Sequence, residues 1–117
     1  MRFGLFGGAK SAGTGPDADS QGYQAFINYV VRAEELGFDS LFMVEHHFTD
    51  YAACPDPTQA LSYVAAKTKT IKLMPAAVIL PWNDPLRVVE KMSMLDSLSE
   101  GRAVLGMGRG AARREFR

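Results

Sequence analysis

The sequence predicts a parallel α/β fold of about four strands and three helices, and three observations predict it. Short apolar runs alternate with amphipathic helical stretches along the whole chain. The run Ser40-Leu41-Phe42-Met43-Val44 has almost no polar alternation, as expected of a strand covered on both faces. The order strand–helix, three times over and closed by a fourth strand, implies parallel pairing through right-handed crossovers.

The first strand is expected at Arg2-Phe3-Gly4-Leu5-Phe6, stopping at Gly7-Gly8. Residues 9–21 are rich in Gly, Ser, Asp and Pro and read as a loop. Tyr23, Phe26, Ile27, Val30, Val31 and Leu36 then recur at helical spacing, with Arg32, Glu34 and Glu35 on the opposite face. Asp19 or Ser20 can cap that helix, and Gly37 sits where a C-terminal glycine belongs. After the second strand comes a loop with Pro55 and Pro57, then a helix over roughly residues 58–67. A third strand is expected over about 71–80, with Pro75 making it irregular near its middle. Asp84 suits an N-cap with Pro85 at the first helical position. Val88, Val89, Met92, Leu95 and Leu98 line one face of the helix that follows, and Gly101 closes it. Residues 102–107 form the fourth strand.

This order fits either an open doubly wound sheet or the first half of an eight-stranded barrel. Both collect ligands at the C-terminal ends of their strands. Composition excludes more than it selects. Of 117 residues 47% are hydrophobic and 22% charged, ordinary for a globular domain. Thirteen basic residues balance thirteen acidic ones, so charge gives no case for nucleic acid or anionic membrane as a partner. A single cysteine, Cys54, precludes an internal disulfide and fits a reducing compartment. Neither a signal peptide nor a membrane span is visible, so the expected location is the cytoplasm.

Three strand ends carry the chemistry. Glu45-His46-His47-Phe48 follows the second strand and contains both histidines of the chain. Imidazole suits proton transfer near neutral pH, and an adjacent carboxylate can orient it; the alternative is a pair of hydrogen-bonded loop residues. Zinc would need further ligands, and Cys54 is the one candidate, so no metal is expected. At the third strand, Ala76 and Ala77 would let a flat ligand approach the backbone, or would simply pack a core. Gly106-Met107-Gly108-Arg109-Gly110 could let Arg109 grip a phosphate, or could be a glycine turn with a solvated arginine. Neither a dinucleotide fingerprint nor a Walker A lysine is present. Arg113, Arg114 and Arg117 are expected to be solvated.

In order along the chain, Met1-Arg2-Phe3-Gly4, Leu36-Gly37-Phe38-Asp39-Ser40, Glu45-His46-His47-Phe48-Thr49, Ala76-Ala77-Val78-Ile79-Leu80-Pro81, Asp84-Pro85-Leu86-Arg87, Leu95-Asp96-Ser97-Leu98-Ser99-Glu100-Gly101-Arg102 and Gly106-Met107-Gly108-Arg109-Gly110 resemble the bacterial luciferase-like family of flavin-dependent monooxygenases. The resemblance implies the N-terminal half of a TIM (β/α)8 barrel over residues 1–117, continued beyond the C-terminus because such barrels need about 250 residues. It implies reduced FMN as cofactor, O2 and a small organic molecule as substrates, a separate flavin reductase, and a homo- or heterodimer when the chain is complete. His46 is then the active-site histidine. Ala76 and Ala77 lie against the isoalloxazine ring and are joined by a cis peptide, while Arg109 binds the flavin phosphate. Glu45 and His47 match the motif in supporting roles. Luciferase carries a reactive cysteine where this chain has Gly108, so no thiol role is implied. Two other readings remain: a deazaflavin (F420)-dependent dehydrogenase or reductase of the same superfamily, and a non-catalytic luciferase-type partner subunit. As a short chain it is expected to hold flavin weakly alone.

Overall fold

The computed structural model describes residues 1–49 and 52–116. Three helices and five short strands follow in the order β1 (Gly4–Gly7), α1 (Ala18–Glu35), β2 (Ser40–Met43), α2 (Pro57–Lys67), β3 (Lys72–Pro75), β4 (Val78–Ile79), α3 (Pro85–Leu98) and β5 (Met107–Gly108). Single turns of 3₁₀ helix occupy Leu80–Trp82 and Arg113–Phe116. β1, β2 and β3 pair in that order, all parallel, with Leu5 opposite Leu41 and Leu41 opposite Leu73. β4 and β5 form a second parallel pair.

The predicted third strand is two strands. Pro75 has no N–H to give the ladder, and the chain turns at Ala76–Ala77, whose peptide is cis. Ala76 N–H still donates to Met43 O at 2.7 Å, but Val78 N–H donates to Gly106 O at 2.8 Å, so pairing passes from β2 to the neighbour on the other side. The predicted fourth strand is similarly divided. Its start bridges β3 at Leu73–Ala103, and regular pairing resumes only at β5. Between them the backbone at Gly106 runs so close to β3 that a Cβ would lie 2.2 Å from Pro75 O, so only glycine fits.

Local chemistry sets the helix boundaries. α1 begins before either expected cap: Asp17 is the N-cap residue, and its side chain makes no capping bond. α2 starts with Pro57 at its first turn, and Asp56 accepts from Gln59 N–H at 3.1 Å. Asp84 caps α3 as expected, accepting from Leu86 and Arg87 N–H at 2.9 and 3.1 Å. Gly37 and Gly101, with φ of 85° and 83°, take the left-handed conformation that ends α1 and α3.

All three helices share one core with the sheet. Ile27 and Val30 of α1, Leu61 and Val64 of α2, and Val88, Met92 and Leu95 of α3 meet Leu41, Met43 and Leu73. Val89 and Leu98, expected on the buried face of α3, are exposed. Phe6, Phe42 and Met74, on the opposite face, stay outside this core: Phe42 and Met74 are half-buried and Phe6 is 68% exposed. A sheet with helices on one face only departs from the doubly wound arrangement, which covers both.

Two polar anchors tie the periphery together. The Arg102 guanidinium donates to Thr68 Oγ1 at 2.9 Å, to the carbonyls of Ala65 and Ile71 at 2.9 and 3.1 Å, and to Ser99 O at 2.8 Å. Glu34 accepts the N–H groups of Lys69, Thr70 and Ile71 at 2.8–3.1 Å, fastening α1 to the start of β3. Partial burial raises the Glu34 carboxyl, but the three backbone donors outweigh it and hold the group below its ordinary 4.5. A folded-state value below the unfolded one means the stabilisation is complete above pH 4.5 and is lost as pH falls through the folded value. Thermal melts across that acid range are therefore expected to show a steeper loss for the wild type than for Glu34→Gln, and equal slopes would contradict the anchor.

Candidate active site

The C-terminal ends of the parallel strands converge on one cavity of about 280 Å³. Val44, Glu45 and His46 reach it from beyond β2, Ala76 and Ala77 from beyond β3, and Arg109, Gly110 and Ala111 from beyond β5; Phe6 and Glu115 complete the wall. Its size sits near the lower end of the roughly 300–1,000 Å³ typical of small-molecule sites. A larger hollow of about 360 Å³ lies between α1 and α2, lined by Tyr23, Phe26, Ile27, Gln59 and Tyr63. That hollow is lined mainly by residues of α1 and α2, with Met43 from the end of β2. Its one carboxylate, Asp56, is engaged as the α2 cap and by Lys91 Nζ at 2.7 Å. The smaller cavity holds the reactive groups.

His46, Ala76, Ala77 and Arg109, the four residues singled out in the sequence, all line this cavity. The two histidines have separate environments. His46 Nδ1 lies 2.8 Å from Glu115 Oε1, a carboxylate only 2% exposed. His47 instead turns to Glu45, its Nε2 2.7 Å from Oε1, and stacks on Trp82 with centroids 4.6 Å apart at 22°. Glu45, 4% exposed, also accepts from Ile79 N–H at 2.9 Å and from Asn83 Nδ2 at 3.2 Å. Glu45 and His47 thus pin the end of β2 to β4 and the turn after it, and His46 is the histidine of the motif that lines the cavity, with a carboxylate behind it. Trp82 stacks in turn on Phe116 at 5.6 Å.

Sequence reasoning missed Glu115, Trp82 and Asn83. The nearest signal for Glu115 was negative: it sits among arginines that read as a solvated tail. Arg113 and Arg114 are indeed exposed, whereas Arg117 lies outside the described residues. Arg109 is exposed at the cavity edge and has no carboxylate partner among the described residues. Cys54 is buried, and burial foremost, then the charges of Asp56 and Glu45, pushes its thiol up to about 12, which makes it unreactive near neutral pH. Among the described residues no group of three or more His, Cys, Asp or Glu side chains is placed to hold a metal ion. No helix among them is long and apolar enough to cross a membrane.

The cavity wall suits a flat, phosphorylated ligand. Ala76, Ala77 and Gly110 contribute only small groups to the lining, and Gly108 packs directly behind Ala77. A Cβ on Gly108 would come within 3.0 Å of Ala77 Cβ, so the wall has no room to thicken there. Arg109, which makes no ion pair among the described residues, stands at the edge of that wall. Residues 1–117 match the family described as luciferase-like monooxygenase. The chain belongs to this family. Over 85 residues it is 38% identical to the alkanal monooxygenase alpha chain of Photorhabdus luminescens, covering 73% of this chain and 24% of that one. The oxygenating constituent of 3,6-diketocamphane monooxygenase from Pseudomonas putida, solved in complex with FMN, superposes with a TM-score of 0.85 at 29% identity, over 97% of this chain and 31% of that one. A coenzyme F420-dependent tetrahydromethanopterin reductase from Methanopyrus kandleri superposes with a TM-score of 0.74 at 24% identity, over 99% of this chain and 29% of that one, a likeness of fold alone. This luciferase-like chain therefore spans about a quarter to a third of the length of the relatives it matches.

Proposed function

We propose that residues 1–117 are the N-terminal half of a TIM (β/α)8 barrel and supply one wall of the flavin site of an FMN-dependent monooxygenase. The observation that carries this reading is the convergence of His46, Ala76, Ala77 and Arg109 on one cavity at the strand ends. The incompletely covered sheet face at Phe6, Phe42 and Met74 supports the barrel, because further strands and their side chains would fill it.

Reduced FMN, when bound, supplies the oxygen-activating chemistry that no amino-acid side chain provides. The protein's residues position and shield it. Ala76 and Ala77 offer a thin wall for the ring system, and Arg109 offers a bidentate grip for the phosphate. His46 holds or moves a proton beside the ring, and Phe6 and Val44 exclude water. A separate reductase delivers the reduced cofactor, and the assembled enzyme works as a homo- or heterodimer in the cytoplasm. A small organic molecule is the second substrate. F420 is the competing cofactor, and its likeness extends to the fold alone.

The test uses a full-length protein carrying this sequence, a flavin reductase with FMN, isotopically labelled O2, and a panel of alkanals and cyclic ketones. Labelled oxygen is expected in the organic product. Anaerobic hydride transfer from reduced F420, with no product from reduced FMN, would instead assign the deazaflavin reading. Absence of both, with a second subunit restoring activity, would make this the non-catalytic partner.

A further inference from the structure

Each histidine of the Glu45-His46-His47-Phe48 segment has its own carboxylate, and the two carboxylates are set up differently. Glu45 shares its oxygens among His47, the Ile79 N–H and Asn83, as a structural hub does. Among the described residues, the Glu115 side chain makes a hydrogen bond to His46 and to no other group, at 2.8 Å, although it is 2% exposed. Burying a carboxylate is costly unless a partner compensates it, so a single partner that can carry positive charge is a specific arrangement. The segment that delivers Glu115 is itself held in place. Gly110, at φ 81°, turns the chain back so tightly that a Cβ there would lie 2.6 Å from the Phe116 ring. Phe116 then stacks on Trp82, and Trp82 on His47. The stack locks the residue next to Glu115 onto the neighbour of His46.

We propose that Glu115 is the positioning residue of the His46 site: its carboxylate holds the proton on Nδ1 and directs Nε2 toward the reacting centre. This rests on the reading of the cavity as a flavin site. When Nε2 takes a proton the ring becomes a cation, and the buried Glu115 charge balances it; when Nε2 returns the proton the pair is restored. No electron changes hands in either direction. Glu115 touches neither substrate nor cofactor and acts through His46.

The experiment uses the full-length protein with isotope-labelled histidine, comparing wild type, Glu115→Ala, Glu115→Gln and Glu115→Asp. Nitrogen chemical shifts assign the His46 tautomer without any turnover, so this arm decides the proposal even if the monooxygenase reading fails. A proton on Nδ1 is expected in the wild type. That preference should be lost in Glu115→Ala and kept in Glu115→Asp. Where the protein turns over, Glu115→Ala should lower kcat about ten- to a hundredfold with little change in the KM for reduced FMN, and Glu115→Asp should recover most of it. Should Glu115→Ala fail to fold, the isosteric Glu115→Gln carries the kinetic arm, with an expected change in the pH profile of kcat. A wild-type ring protonated on Nε2 alone, or variants that leave tautomer and kcat unaltered, would overturn the proposal.

Discussion

Replacing His46 by alanine in a full-length protein is expected to lower kcat for the oxygenation about 10²–10⁴-fold while leaving reduced-FMN binding within a few-fold of wild type. The reasoning is positional. His46 lines the cavity, whereas the contacts proposed to hold the cofactor come from Ala76, Ala77 and Arg109 on other strand ends. His47→Ala should behave differently, because His47 is stacked on Trp82 and bonded to Glu45. Its loss should appear mainly as lower stability. Steady-state kinetics with a parallel binding titration separates the two, and a His46→Ala enzyme with wild-type kcat would remove His46 from the chemistry.

Glu45→Ala is expected to be the most damaging single change to stability in the strand-end region, costing about 3–5 kcal/mol. Removing the carboxylate strips a hydrogen bond from the buried Ile79 N–H, one from Asn83 and one from His47. The damage combines an unpaired backbone donor with the release of the turn after β4 that carries Trp82. Glu45→Gln keeps the shape and can still accept from Ile79 N–H, so its cost should be nearer about 1–2 kcal/mol. Denaturant melts of both variants check the ordering; equal costs would show that loss of the carboxylate charge, common to both variants, outweighs the unpaired Ile79 N–H and the released turn.

Much of this was legible along the chain. Helical spacing located three helices, although α1 starts before its expected cap, and Asp84-Pro85 marked the start of α3 to the residue. Pro75 signalled the irregularity of the third strand, although not that pairing would pass from β2 to the segment ending in β5. That exchange depends on the backbone contact of Gly106 with Pro75, a relation across thirty residues that no local pattern carries. Val89 and Leu98 were misjudged for a related reason: helical periodicity identifies an apolar stripe but not how much of it finds a neighbour. The site divided in the same way. The strand-end rule and the ordered family motifs brought His46, Ala76, Ala77 and Arg109 to one place. Neither could separate the partners of His46 and His47, because Glu115 lies sixty-nine positions from His46 and its neighbours read as solvated. Arg102 was visible as a strand residue, and its role as a clamp on the end of α2 emerged only with the carbonyls around it.

The cavity at the strand ends is proposed as a flavin site built on Ala76, Ala77 and Arg109. An anaerobic titration of the full-length protein with reduced FMN tests it most directly, run beside reduced riboflavin and repeated with Arg109→Ala. Saturable binding of reduced FMN is expected, clearly tighter than of riboflavin, with the advantage of the phosphate lost in Arg109→Ala. Binding that ignores the phosphate, or no binding of reduced FMN, would contradict it.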